Sequence, residues 1–292
     1  MKKIVLIPIV LMFLLSSCYD DYKLDFDYTA TYFALQSPLR TLIVQDGKDE
    51  LSMEVGVVLA GVYENKANEV VNFEVRPTLL ANYPQLTLLP ADYYTISNPN
   101  QMDIPKDQIL GKVTITLNEK FINDPKAHLL NYALPLKITG TTLDSILAGK
   151  DSTIIAIKYQ NKYYGAYWVK GVDHTLNTTG QIASSFKYSN ADLVKNTNKL
   201  ITTLAKDSCS VPYIGADLTG ANKLKLQIKT DGSVTIIPGV LKDMTNISGT
   251  GQYDKTKKVF TLDYSYTKTG VQHHVLDTLY HFDSPLKVEK WQ

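Results

Sequence analysis

The sequence predicts an all-β protein of two domains: an N-terminal immunoglobulin-like β-sandwich, then a C-terminal antiparallel β-sheet or barrel-like domain. Three observations carry this. Short apolar/polar alternations recur along the chain, turn signals separate them, and no stretch has the period of a long amphipathic helix. Tyrosine, a strand-favouring residue, is the compositional outlier, with 19 against 8 Phe and 2 Trp.

In the first half, residues 41–44 form an apolar run that enters a turn at Asp46-Gly47, and residues 51–57 alternate as a half-buried strand does. Residues 70–75 repeat the pattern and stop at Pro77. Residues 113–117 alternate cleanly. Residues 132–138 contain Pro135, which lacks a ladder donor and so predicts an edge or a bulge. Residues 153–159 close the set. About seven short strands over residues 28–160 suit a sandwich. The Cys-Trp-Cys core of the antibody subtype is absent. Asp107 to Leu110 and Leu143 to Ala148 read as single helical turns.

A seam falls at Gln160-Asn161-Lys162, and residues 161–292 form the second domain. An aromatic run from Tyr163 to Trp168 opens it. Residues 224–229 and 233–237 alternate around Asp231-Gly232, a strong hairpin signal. Residues 247–253 and 259–266 flank a polar turn, and residues 275–282 read as a further strand. Gly249 and Gly251 read as turn or bulge residues, and residues 188–206 as a segment with a short helix. Successive hairpins predict an up-and-down sheet that can close into a small barrel.

The first 17 residues have the layout of a secretory signal: Lys2 and Lys3, an apolar run from Ile4 to Leu15, then Ser16-Ser17 before Cys18. The run is too short for a comfortable span of roughly 20 residues. Leu15-Ser16-Ser17-Cys18 resembles the bacterial lipobox, which implies cleavage before Cys18 and a diacylglycerol on its sulfur. Residues 18–27, with Asp20, Asp21, Asp25 and Asp27, read as an acidic tether and resemble a surface-export signal of some Gram-negative bacteria. The expected location is the outer membrane, lipid-anchored and cell-surface exposed; periplasmic display is the alternative.

Composition excludes some classes. A net charge of +1 and the lack of any basic stripe argue against a nucleic-acid partner. With Cys18 lipidated, Cys209 is the only cysteine left, so no internal disulfide forms and Cys209 reads as a small buried hydrophobe. His273, His274 and His281 are the only histidine cluster; His273-His274 beside Gly270 reads as a pair of exposed turn residues rather than a metal site, and His128 and His174 read as structural. No cofactor is predicted, because no phosphate-cradling glycine loop precedes a helix.

Glycan binding is the chemistry that remains. A sugar ring has apolar C–H faces that pack on flat aromatic rings, and polar edges that bond to amides, carboxylates and hydroxyls. The candidate platforms are Tyr163, Tyr164, Tyr167, Trp168, Tyr253, Tyr264, Tyr266 and Trp291. Each has a competing reading as a core or strand-surface residue, and Tyr264 and Tyr266 share one strand face.

The lipobox, the acidic tether, a sandwich ending near Ile154-Ile155-Ala156-Ile157, then Tyr163-Tyr164-Gly165-Ala166-Tyr167 and a β-rich C-terminal half together resemble a family of surface lipoproteins. That family belongs to polysaccharide-utilisation systems of Gram-negative gut-type bacteria. Gly249-Thr250-Gly251-Gln252-Tyr253 and Phe260-Thr261-Leu262-Asp263-Tyr264 are the best-marked part of the second domain's resemblance. The resemblance implies non-catalytic capture of a polysaccharide or oligosaccharide beside an outer-membrane importer, with no catalytic residues to carry over. The alternative is a structural or adhesive lipoprotein that binds a protein partner. Some relatives of the first domain precede a glycosidase. Here the Asp-x-x-Asp-x-Asp-x-Glu signature of chitinase-like barrels is absent, and residues 163–292 are too few for an α/β barrel of about 250 residues. Asp144-Ser145-Ile146, Asp151-Ser152-Thr153 and Asp277-Thr278-Leu279 resemble short O-glycosylation acceptors of such bacteria, at Ser145, Ser152 and Thr278.

Overall fold

The computed structural model of the chain describes residues 28–44, 51–218, 220–284 and 291. The expected signal segment, Cys18 and the expected acidic tether lie outside the described residues, as does the expected turn at Asp46-Gly47.

Two facing sheets make the first domain. One has five strands in the order β10 (Ser145–Ile146), β1 (Ala30–Phe33), β3 (Ser52–Ala60), β8 (Leu110–Leu117) and β6 (Tyr94–Ile96). The other runs β2 (Leu39–Val44), β11 (Ser152–Asn161), β9 (Tyr132–Thr141), β4 (Glu69–Val75) and β7 (Gln101–Ile104), with β5 (Thr87–Leu88) beside β9. Alternating residues from both sheets, including Val55, Val57 and Ile115 from one and Val71, Phe73, Ile155 and Ile157 from the other, interdigitate in a single core.

Pro135 stands in a central strand, not at an edge or bulge. On one side of β9 the partner changes from β5, opposite Tyr132 and Ala133, to β4, opposite Leu136 to Thr141. The carbonyl of Pro135 accepts from Arg76 N–H just beyond the end of β4 (3.0 Å), so its own missing donor faces the joint between the two partners. Asp107 to Leu110 and Leu143 to Ala148 are not helical: they are turns leading into β8 and around the short β10. The one α-helix among the described residues is α1 (Glu119–Asn123), capped by the Asn118 side chain, which accepts from Lys120 N–H (3.0 Å).

The second domain is a closed barrel. Strands β12 (Gly165–Leu176), β14 (Asn198–Ala205), β15 (Ser208–Pro212), β16 (Lys223–Ile228), β17 (Ser233–Pro238), β18 (Met244–Asp254), β19 (Val259–Lys268) and β20 (Val271–Asp283) follow each other antiparallel, and β20 pairs back on β12. The Asp231-Gly232 hairpin is present, with Ile228 opposite Val234. Gly249 and Gly251 sit inside paired β18, opposite Tyr264 and Leu262, rather than in a turn or bulge. A further strand, β13 (Ile182–Tyr188), takes over from β14 along the same edge of β12. The expected helix in residues 188–206 is a single 3-10 turn at Leu193–Lys195.

The domains meet through polar contacts. Asn161, fully buried at the end of β11, donates its backbone N–H to Thr203 Oγ1 (3.0 Å) and its amide to the carbonyls of Ala205 (2.8 Å) and Ser208 (2.9 Å). Trp291 then returns to the sandwich. Its indole N–H donates to Ile154 O (2.7 Å), and its ring packs edge-on against Tyr83 with centroids 4.8 Å apart. A Trp291→Ala change should destabilise the sandwich by about 1–2 kcal/mol. Differential scanning calorimetry should show a lowered sandwich transition.

Candidate functional site

Closure decides which aromatic residues face inward. An eight-stranded barrel has an interior just wide enough for side chains to fill. Tyr163, Tyr167, Tyr253, Tyr264 and Tyr266 are all buried there with Phe260, Val169 and Leu279. These five candidates are therefore core residues, and none offers a free ring face. At one end, Tyr163 packs edge-on against Tyr253 (centroids 5.0 Å), and Tyr167 donates its hydroxyl to Tyr163 O (3.0 Å).

The opposite end holds a buried polar network. Asp277 accepts from the hydroxyls of Tyr264 (2.9 Å) and Tyr188, and lies 3.8 Å from the Lys199 ammonium, which also donates to Tyr213 O (3.0 Å). Asp173 accepts from the Tyr266 hydroxyl (2.6 Å) and Ala216 N–H (2.9 Å) and pairs with His273 Nδ1 (2.8 Å). Burial pulls the Lys199 ammonium below the usual lysine range, against the opposing pull of Asp277. Burial and then the Asp277 charge push the Tyr188 and Tyr264 hydroxyls up, so both stay neutral donors.

Two glycines make this packing possible. Gly171 lies between Tyr188 and Asp277 in the ladder; a Cβ there would fall 2.2 Å from the Asp277 carboxylate and 2.5 Å from the Tyr188 ring. Gly215, at φ +53°, lets residues 213–217 lie over the barrel end, where its N–H donates to the Tyr264 hydroxyl (2.9 Å). His273 is thus a half-buried member of the network, stacked on Tyr266 (centroids 4.5 Å), and not an exposed turn residue. Its neighbour His274 turns outward to Asp263 (2.8 Å). Cys209 is buried, and burial raises its thiol well above the usual range.

The outer wall carries a different surface. On β12 and β20 the outward positions place Trp168 opposite Tyr280. Trp168 stacks on Phe282 with ring centroids 4.3 Å apart and planes 17° from parallel. Phe282 is 44% exposed; Trp168 and Tyr280 are half-exposed. Lys170 lies over the Tyr280 ring at 5.9 Å, and Thr278 stands opposite Lys170. Asn198, exposed, lies beside Trp168 on β14, and Leu200, 43% exposed, continues the strip.

Of the eight candidate platforms, Trp168 is in this strip, and Tyr164 is half-exposed just before β12. Trp291 is not in the barrel surface, because its ring is committed to the sandwich. Phe282 and Tyr280 were not among the candidates. Their shared parity with Thr278 in one strand was a usable signal, once closure fixed which parity faces out. Ser145, Ser152 and Thr278 are each half-buried within a paired strand. Among the described residues no group of three or more His, Cys, Asp or Glu side chains is arranged to hold a metal.

Two family models divide the chain. One, described as a "-like, N-terminal domain", matches residues 26–145, and a "-like, C-terminal" model matches residues 151–280. A Bacteroides ovatus protein of unknown function is 24% identical and superposes with a TM-score of 0.78, over 91% of this chain and 98% of its own. The two share a fold. An auxiliary nutrient binding protein of Bacteroides thetaiotaomicron is 13% identical, over 82% of this chain and 89% of its own, with a TM-score of 0.44. No curated protein matches the chain. The two matches meet between residues 145 and 151, ahead of β11, although β11 pairs in space with the sandwich strands β2 and β9.

Lys199→Met strands the Asp277 carboxylate in the barrel and should cost about 3–5 kcal/mol of stability in chemical denaturation. Adding Asp277→Asn removes the stranded charge and should recover part of that loss.

Proposed function

We propose that the protein is a non-catalytic, cell-surface lipoprotein that captures glycan on the outer wall of its barrel, beside an outer-membrane importer. The observation that carries this reading is the stacked pair of half-buried Trp168 and exposed Phe282, with half-buried Tyr280 alongside, on the outer surface of a barrel whose interior is already filled. Flat aromatic rings beside amide, hydroxyl and ammonium groups suit a sugar: the rings pack on C–H faces, while Asn198, Thr278 and Lys170 are placed for hydroxyls. In this reading the sandwich is a spacer, the acidic segment 18–27 is a tether, and Cys18 carries the lipid. O-glycan on Ser145, Ser152 or Thr278 would belong to the same surface setting.

A protein partner is the second reading, and one observation favours it. Strand β13 pairs only with β12 among the described residues, and its Ile182 (58% exposed) and Phe186 (55% exposed) stand out from an uncovered sheet edge.

Affinity electrophoresis over a glycan panel, followed by calorimetry, separates the two. One polysaccharide class should bind without turnover. Trp168→Ala should weaken it tenfold or more, about 1.4 kcal/mol, with the far-UV spectrum unchanged. Full affinity in both Trp168→Ala and Phe282→Ala would remove the outer strip from the reading. Silence across the panel, with a membrane partner lost on Phe186→Ser, would favour the protein-binding reading. Independently, cells fed labelled palmitate should label the protein, and Cys18→Ala should abolish the label.

A further inference from the structure

A separate concavity lies in the sandwich. Strand β1 ends at Phe33, opposite Val57, so β3 from Ser52 to Gly56 is paired with β8 but, among the described residues, has no strand on its other side. Residues 34–38 cross to the second sheet, where β2 pairs with β11. Beneath this crossing is a cavity of about 250 Å³, walled by Phe33, Leu35, Pro38, Val55, Val58 and Ile155. Leu35 (45% exposed) and Leu110 (52% exposed) leave apolar surface at its mouth.

Arg40 also lines this cavity. In the β2–β11 ladder it stands opposite Ile157, a fully buried core residue, so it occupies the inward face of β2. It is half-buried, and its side chain makes no hydrogen bond or ion pair among the described residues. The carboxylate at the rim, Glu54, is already paired with Lys112 (2.9 Å). An inward-facing cation in an apolar wall is costly unless an anion meets it. A guanidinium presents a planar fork that matches a carboxylate.

We propose that this pocket binds a single-chain apolar carboxylate, with its chain in the cavity and its carboxylate on Arg40. The apolar walls recognise the chain, and the unpaired guanidinium selects for the acid.

Calorimetric titration of the purified protein with hexanoate, octanoate and octanol tests this. Octanoate should bind. Hexanoate, two methylenes shorter, should bind about 15-fold more weakly, at about 0.8 kcal/mol per buried methylene. Octanol should bind at least tenfold more weakly than octanoate. Arg40→Ala should reduce octanoate to the level of octanol and leave octanol unchanged. Ala34→Phe, which fills the roof from an exposed position, should weaken both ligands. No octanoate binding at millimolar concentration would overturn the proposal. Equal affinity for octanoate and octanol would do the same, as would full octanoate binding by Arg40→Ala or by Ala34→Phe.

Discussion

The barrel depends on two aspartates sealed inside it. Its interior has room for side chains and little else, and several of those side chains are tyrosines whose hydroxyls still need partners once dry. Asp277 takes two of these hydroxyls and faces Lys199; Asp173 takes a third, with His273 and a backbone N–H of the covering loop. These contacts join β12, β13, β14, β19 and β20 to residues 213–217 at one end of the barrel. A purely aliphatic filling would close the same space without fixing that loop or the β13 hairpin, because neither would have a directional contact to the interior.

That filling has a consequence for binding. Many small barrels hold a ligand in the lumen; here the lumen is occupied by Tyr163, Tyr167, Tyr253, Tyr264 and Tyr266. Any ligand of this domain must therefore engage the outside. A convex wall buries little of a small molecule, so a compact metabolite gains few contacts there. A long chain of repeated units is better suited, since it can lie along a strip and offer many equivalent registers. Several copies held together, as the proposed lipid anchor would hold them, would then raise the apparent affinity through effective concentration.

The period-2 alternation made most long strands readable, because each buries one face, and the Asp231-Gly232 hairpin was readable from turn chemistry alone. Other features depended on tertiary context. Strand β13 carries Ser184, Ser185 and Lys187 and buries almost nothing, so it lacks the alternation that marks a strand. Pro135 misled because its tolerance comes from a joint between β4 and β5, which only the register reveals. The site was half-legible for a related reason. Alternation shows that Tyr264 and Tyr266 share a face with each other and that Trp168 and Lys170 share another, but not which face is inside. Closure of β20 on β12 decides that, and it sends the tyrosines in and Trp168, Tyr280 and Phe282 out.

The seam argues against treating the sandwich as a loosely hung spacer. Flexible linkers are rich in glycine, serine or proline, whereas here β11 runs to Asn161 and β12 starts at Gly165. Asn161 satisfies three backbone groups of the β14–β15 hairpin and its own turn: it donates to two carbonyls, and its side-chain oxygen accepts from Tyr163 N–H (3.2 Å). These hydrogen bonds would be exchanged for water if the domains swung apart, so separation gives up several directional contacts made in a buried joint. Trp291 adds a second tie from the far end of the barrel sequence, bonded to the Ile154 carbonyl of β11 itself. Both ties converge on β11, so this strand is the element through which the orientation of the outer strip is referred to the sandwich.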